Sequence, residues 1–347
     1  PKYGYANART KAMKSKLLGE SQVNELLSVK SIEEVTELLE ESPYREDLVE
    51  LSTKYGGVEL VNKAVDQNFI RTMQKIARFL PHSNGSHLFN LILEEWTMQN
   101  LKAIIASKAT GIPLNESSLV ILNEEQRHIC TAAKDETMDL KKMVKKLAVM
   151  NYSFSPVFRK IDTAYFKGKD IGDFRAIYKE LDDYYYSKLT VAAENETNYA
   201  VKMLLGAKVD SINTMAVVRL KLAEISDAEI SENIVKASTR QKREAIKLIQ
   251  IGGVGQVVQE IVKRYKLDAT IVEQFNSTNS LVKLEVELQK KLVQRALRTS
   301  KVSVLSFAVI LAFIYLKQQE ISFIKAIAYS TQAGIREEVK ALVFAVK

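Results

Sequence analysis

One helix ending recurs three times in this chain, and the distance between its copies constrains the fold more than any other feature. The first copy runs from Glu95 to Leu114, the second lies 100 residues further on, and the third follows after another 123 residues. Copies one and three share six identities in twenty ungapped positions, and copies one and two share four. Solenoid repeats rarely exceed about 50 residues. This spacing therefore predicts three copies of a small helical domain.

The matching positions are lysines, apolar residues and a turn residue. They are Lys102, Ile104, Ile105, Lys108, Gly111 and Ile112 in copy one, Lys202, Leu204, Leu205, Lys208, Ser211 and Ile212 in copy two, and Lys325, Ile327, Ala328, Thr331, Gly334 and Ile335 in copy three. The apolar positions form one stripe of an amphipathic helix. Gly111 and Gly334 stand where a left-handed residue closes a helix, and we expect the following isoleucine to make the apolar contact of a Schellman ending. Because Ser211 replaces the glycine, we expect copy two to close differently at that residue or at some cost in strain.

The composition favours helices over strands. Only 13 glycines and 5 prolines among 347 residues leave few turn formers, which predicts an all-α fold built from long helices. Boundaries placed just after each copy divide the chain into three helical domains, 1–117, 118–222 and 223–347. No low-complexity linker separates these blocks, so we expect them to pack together.

Local signals agree with this helical interpretation. Ser31 and Glu34 form a capping box that opens a helix through about Glu41, and Ser42 and Pro43 then stop it. The segment from Val302 to Leu316 is apolar apart from two serines. Fifteen helical residues span about 22 Å, short of the roughly 30 Å hydrocarbon core of a bilayer. We interpret the segment as a buried core helix of a soluble protein without a signal peptide.

The charge is unevenly distributed. The net charge is +8, yet residues 1–20 carry five basic and one acidic side chain, while residues 21–60 carry ten acidic and three basic ones. Alternating blocks of this kind are typical of protein–protein docking faces. The basic stretches at 141–146 and 240–243 lack interleaved aromatic residues, which favours solvated helix faces over nucleic-acid binding.

The sequence contains no recognisable catalytic or cofactor motif. His82, His87 and His128 match no usual zinc spacing, and the glycines at 252–255 fit a turn between helices better than a phosphate cradle. The single cysteine, Cys130, excludes an intrachain disulfide framework and suits a reducing interior. We therefore predict a chain that is not an enzyme by itself, with no catalytic residue, no cofactor and no metal.

Four segments carry a resemblance to a known family. Tyr5–Leu18, Ile32–Leu48 with its Ser-Pro-Tyr turn, Glu95–Ile112 and Glu320–Ile335 resemble, in this order, segments of the C subunit of archaeal A-type ATPases/ATP synthases. That family is related to the central-stalk d subunit of vacuolar V-type ATPases. The resemblance covers essentially the whole chain, and the order of the matches carries it.

The resemblance implies three similar helical domains arranged about a pseudo-threefold axis as a funnel. In that family the funnel lies at the cytoplasmic face of the membrane, on the proteolipid ring, and receives the foot of the rotating shaft. It transmits torque in a proton- or sodium-translocating complex and catalyses nothing. The implied partners are shaft subunits and the ring, with no nucleic acid and no small-molecule substrate.

The expected partner contacts are cationic. They are drawn from the basic N-terminal helix and from the lysines of the repeated helix: Arg9, Lys11, Lys14, Lys16, Lys102, Lys108, Lys202, Lys208 and Lys325. The three copies are not equivalent, because Ala200 and Phe323 stand at the position of Asn100 and Thr331 at that of Lys108. The alternative is a helical scaffold or nucleic-acid adaptor, whose affinity for DNA or RNA would fall steeply with salt. A third possibility, an enzyme, needs a polar pocket that the sequence does not display.

Overall fold

A computed structural model describes residues 2–81, 84–166, 174–235 and 239–334, and every regular element in these ranges is helical. The predicted all-α class is confirmed. The α-helices are, in chain order, α1 (Gly4–Lys14), α2 (Glu20–Ser28), α3 (Ile32–Glu40), α4 (Arg45–Leu51), α5 (Gly57–Phe79), α6 (Asn84–Thr110), α7 (Glu124–Lys134), α8 (Leu140–Val149), α9 (Ser155–Phe166), α10 (Phe174–Asn195), α11 (Tyr199–Leu222), α12 (Asp227–Asn233), α13 (Thr239–Ile249), α14 (Val254–Tyr265), α15 (Thr270–Thr278), α16 (Val282–Val302) and α17 (Ala308–Ala333).

The chain forms two compact units. Unit 1 contains Pro1–Phe69 and Ala193–Lys347, and unit 2 contains Ile70–Ala192. This division follows the density of contacts and does not test the repeat-based boundaries near 117 and 222. The three-domain arrangement therefore stays a prediction.

Unit 1 is organised around α17. Residues Ala308 to Tyr315 are all buried, and α1, α3, α11 and α16 pack against this helix. The predicted buried helix over 302–316 is thus confirmed from Ala308 onward and wrong before it, because Val302 ends α16 and the residues up to Phe307 form a connecting loop. A second core, with Val218, Ile261 and Leu288 fully or almost fully buried, joins α11 to α12–α16. No helix within the described ranges has an apolar stretch long enough to cross a bilayer.

Unit 2 buries the inner faces of α6–α10. Met98, Leu101 and Ile105 of α6 are inaccessible to solvent, as are Cys130 of α7 and Met143 of α8. The aromatic side chains of Phe158 in α9 and Tyr185 in α10 are also buried.

The predicted helix signals are present in the structure. Ser31 Oγ accepts a hydrogen bond from the Glu34 amide at 3.2 Å, and α3 ends at Glu40, one residue before the predicted end. The glycines at 252–255 lie at the start of α14, where Gly253 is the N-terminal capping residue. Both segments therefore act as helix boundaries.

Candidate functional site at the ends of the long helices

The first copy ends at a left-handed glycine. Helix α6 stops at Thr110, Gly111 has φ +71°, and its amide donates to the Ser107 carbonyl at 2.9 Å. Ser107 Oγ donates to the Ile112 carbonyl at 2.7 Å. The predicted glycine stop is confirmed, but Ile112 is 67% exposed, so the Schellman-type apolar contact expected of it is wrong.

The third copy ends in the same way. Helix α17 stops at Ala333, Gly334 also has φ +71°, and its amide donates to the Ser330 carbonyl. The contact expected of Ile335 lies outside the described residues. A side chain at Gly111 or Gly334 would meet no neighbouring atom, so backbone conformation alone favours glycine there.

The second copy does not end where its sequence match predicted. Helix α11 runs through Ser211 without a break and closes at Glu224, which has φ +57°. The Glu224 amide donates to Lys221 and the Ile225 amide to Leu220, both at 3.0 Å, which are the two bonds of a Schellman ending. The expected closure at Ser211 is wrong, because an uninterrupted helical ladder satisfies the backbone there.

A buried asparagine in α6 binds the backbone of a later loop. Asn100 is 3% exposed, its Nδ2 donates to the Val120 carbonyl at 2.7 Å, and its Oδ1 accepts from the Val120 amide at 3.1 Å. We call this two-bond arrangement an asparagine clamp. It satisfies both polar groups of a buried backbone unit that has no helical partner.

Helix α11 contains the same clamp. Asn213 is 2% exposed, donates to the Val235 carbonyl at 3.3 Å and accepts from the Val235 amide at 2.9 Å. Asn213 precedes Glu224 by the same eleven residues that separate Asn100 from Gly111. By its contacts, Asn213 is the counterpart of Asn100. The sequence alignment that paired Ala200 with Asn100 was therefore wrong, and the correct counterpart lies thirteen residues later.

A lysine near the ends of α6 and α11 holds the end of another helix. Lys108 Nζ donates to the carbonyls of Asp135 and Met138 at 2.7 and 2.9 Å, just after α7. Lys221 Nζ donates to the Ile251 carbonyl at 2.8 Å, just after α13. Free carbonyls at a helix C-terminus carry partial negative charge, so an ammonium group stabilises them. Lys108 and Lys221 each lie three residues before the left-handed residue.

Helix α17 shows neither device among the described residues, and an ion pair links it to α5 instead. Lys325 Nζ lies 2.6 Å from Asp66 in α5, and in α6 Lys102 Nζ lies 2.5 Å from Asp182 in α10. Burial raises the pKa of the Asp66 carboxyl above its ordinary value, and the attraction of Lys325 opposes that rise without cancelling it.

A buried polar network fixes α17 to the start of the chain. Lys317 Nζ donates to Tyr44 Oη at 2.7 Å and to Glu320 Oε1 at 2.9 Å, and it lies 4.3 Å from the centre of the Tyr44 ring. Glu320 also accepts from the Leu18 amide at 2.6 Å. Burial lowers the pKa of Lys317, while Glu320 acts in the opposite direction. Sequence reasoning missed this network, although Tyr44 and Glu320 both lie in segments that carried the resemblance.

The predicted contact residues fall into two groups. Arg9, Lys11, Lys14, Lys16 and Lys202 are exposed, and Lys208 is half-buried. The others, Lys102, Lys108 and Lys325, make the intramolecular contacts described above, and Lys202 of the exposed group also donates to the Glu194 carbonyl at 3.0 Å. Partner binding by any of the nine stays a prediction.

Several observations concern the titratable groups of the described residues. No group of three or more His, Cys, Asp and Glu side chains there could hold a metal ion, and His82 lies outside those residues. Burial raises the pKa of the Cys130 thiol to about 11, which disfavours the reactive thiolate. A polar cavity of about 360 Å³ beside Asn213 contains Arg264, whose guanidinium lies 3.4 Å from Glu244. These charges already neutralise each other.

Comparison with known proteins identifies the family. The model of the ATP synthase (C/AC39) subunit family matches residues 6–341, nearly the whole chain. The chain belongs to this family. Relatives named as the C subunit of A-type ATP synthase are 25% identical over 342 residues in Methanococcoides burtonii and 26% identical over 345 residues in Pyrococcus furiosus. These matches cover 97% of this chain and 92% and 88% of the respective relatives.

A third relative agrees with the first two. The A-type ATP synthase C subunit of Methanosarcina barkeri is 26% identical over 344 residues, covering 97% of this chain and 91% of the relative. Membership of the C/AC39 family confirms the resemblance inferred from the sequence. The clamps, lysine contacts and buried network all lie within the matched residues.

Proposed function

We propose that this chain is a non-catalytic central-stalk subunit of a rotary, proton- or sodium-translocating A-type ATPase. In this role it is a socket that couples the rotating shaft to the membrane proteolipid ring. The observation that carries the proposal is the match to the ATP synthase (C/AC39) subunit family over residues 6–341. The proposed position is peripheral, at the cytoplasmic face of the membrane. The funnel of three domains implied by the family is part of this proposal.

The helix ends support a role in transmitting torque. Helices α6, α11 and α17 have 27, 24 and 26 residues, and side chains in the C-terminal half of each bond to other segments of the same unit. A coupling element must resist bending, and tightly packed helices have low compressibility. The fixed ends therefore suit a stiff element better than a hinge.

The surface of unit 1 supports binding to two oppositely charged partners. Helix α1 exposes Arg9, Lys11 and Lys14, and residues 2–19 contain no carboxylate. Helix α3 and its neighbours expose Glu33, Glu37 and five further glutamates between residues 34 and 50. We propose that α1, with Lys16, Lys202 and Lys208, contacts one partner directly. Lys102, Lys108 and Lys325 would act on binding through the helix ends that they hold.

Purification from native membranes tests the proposal. A tagged chain extracted in mild detergent should bring down shaft and proteolipid subunits of one rotary ATPase in fixed ratios. Recovery without them would overturn the proposal. Binding to nucleic acid that falls steeply with salt would instead favour an adaptor.

Charge reversal tests the proposed contact helix. We expect the quadruple variant with Arg9, Lys11, Lys14 and Lys16 changed to Glu to recover at least tenfold less of one partner. The matched control reverses four exposed lysines elsewhere, Lys54, Lys141, Lys142 and Lys145, and should retain both partners. Equal loss in the two variants would contradict a specific role for α1.

A further inference from the structure

We propose that a pocket between α1 and the end of α16 binds the phosphodiester headgroup of an anionic phospholipid. The pocket is lined by Lys11, Lys14 and Lys301 and by the apolar Val304, Val309 and Phe313, and we call it the lysine pocket. All of these residues belong to unit 1. The inference goes beyond the proposed function, because it concerns the isolated chain and needs no other subunit.

The charge of the lysine pocket is uncompensated. Among the described residues, none of its three lysines has a carboxylate within 4 Å, although at least fourteen other cations of this part of the chain do. The chain has no Asp or Glu from Lys2 to Gly19 or from Leu288 to Gln319, the segments that supply these lysines. Burial and the nearby Lys301 lower the pKa of Lys14. Three lysines that line one pocket without a carboxylate nearby favour an anionic ligand.

The loop beside the pocket exposes aliphatic side chains from a fixed backbone. Val302, Val304 and Leu305 are 88%, 42% and 53% exposed. Asn7 Nδ2 nevertheless donates to the carbonyls of Val304 and Ser306, both at 3.0 Å, and so holds the loop against α1. The structure thus presents an apolar edge directly next to a cationic pocket, which is the pattern of interfacial membrane-binding surfaces.

The size and polarity of the pocket favour a lipid headgroup over other anions. Its volume of about 220 Å³ is below the roughly 300 Å³ of sites that enclose a whole small molecule. The buried Val309 and Phe313 give the pocket an apolar lining, and its three lysines are exposed. A free phosphate ion would leave the aliphatic edge unused, and an acidic peptide would place polar backbone against it. A phospholipid satisfies both parts at once.

Sedimentation with lipid vesicles tests this proposal. The full chain should bind vesicles of phosphatidylglycerol and phosphatidylcholine, and should bind pure phosphatidylcholine vesicles at least tenfold more weakly. The double variant Lys14→Gln/Lys301→Gln should bind the anionic vesicles about 25-fold more weakly, since each lysine near an anionic surface contributes about fivefold. The variant Val304→Ser/Leu305→Ser should lose about tenfold, because buried methylenes add to membrane affinity.

A matched control and two competitors make the outcome decisive. The control Lys54→Gln/Val282→Ser changes an exposed lysine and a 49% exposed valine elsewhere in unit 1, and should bind like the unchanged chain. Equal binding by all three variants would overturn the proposal. Full displacement from vesicles by inorganic phosphate or by polyglutamate, at ionic strength matched with chloride, would also overturn it. If the unchanged chain failed to bind vesicles but still brought down shaft and ring proteins from native membranes, the lipid site would be overturned and the proposed function would stand.

Discussion

The C-terminal ends of α6 in unit 2 and α11 in unit 1 share two side-chain contacts but differ in the residue that closes the helix. Both have an asparagine clamp and a lysine that holds another helix end, at the same distances from the left-handed residue. That residue is Gly111 in α6 and Glu224 in α11, and the following isoleucine is exposed in the first and half-buried in the second. The clamp and the lysine are therefore what α6 and α11 share, and between these two ends the glycine is replaceable.

Removing the clamps should have the largest effect. Asn100→Ala and Asn213→Ala each leave a buried amide and carbonyl without a partner, so we expect each to lower the free energy of unfolding of its own unit by about 3 kcal/mol. Amide hydrogen exchange at Val120 and Val235 would localise the loss. Asn195→Ala, at an exposed position, is the control. A loss below about 0.5 kcal/mol at one clamp, with the expected loss at the other, would show that the two ends are not equivalent.

Removing the lysine contacts should have a smaller, similar effect in the two units. Lys108→Met and Lys221→Met keep the aliphatic stem but lose the bonds to the carbonyls after α7 and α13. We expect each to cost about 1–2 kcal/mol in urea denaturation. Lys142→Met, which changes an exposed lysine of α8, should have no measurable effect. If only one of the two variants lost stability, the two lysines would not have equivalent roles.

Exchanging the left-handed residues sharpens the comparison further. Glu224→Gly should stabilise unit 1 by about 1 kcal/mol, because glycine adopts φ +57° without steric cost, and Gly111→Ala should destabilise unit 2 by a similar amount. Thermal unfolding of the two variants and of the double variant would measure both effects. Destabilisation by Glu224→Gly would mean that the glutamate side chain has a structural role of its own.

The ion pair of α17 should give the smallest effect, seen as a pH dependence. Because burial raises the folded-state pKa of Asp66, the folded state binds a proton more tightly than the unfolded state does. The resulting stabilisation is full below the unfolded value near 3.8 and is lost as pH rises through the raised folded value. Asp66→Asn should therefore flatten the fall in stability over this interval. An unchanged slope in urea denaturation at a series of pH values would contradict the shift.

Sequence reasoning found the elements of this fold but not the alignment of its repeats. Few turn formers, the capping box at Ser31 and the glycines at 111 and 334 correctly gave helices and their ends. Copy two was misaligned because an offset of 113 residues also gives four identities with copy one, at Asn213, Ala216, Lys221 and Ile225. Because the two alignments of copy two have the same number of identities, the sequence could not decide between them. The choice depends on what Asn213 binds, a backbone unit 22 residues later.

The candidate site was less predictable than the fold. Three of the nine predicted contact residues turned out to hold helices, because long cationic side chains reach carbonyls and carboxylates that are distant in sequence. Lys317 and Tyr44 are 273 residues apart, and no local pattern connects them. The exposed cations of α1 were predictable, since residues 2–19 contain basic but no acidic side chains.

Ion pumping measured together with ATP hydrolysis tests the proposed coupling role most directly. Vesicles should be reconstituted with the rotary complex either complete or lacking only this chain. The account predicts that removal abolishes ATP-driven pumping while hydrolysis by the remaining soluble sector continues, and that adding the chain back restores pumping. Full ATP-driven pumping in the absence of the chain would contradict it.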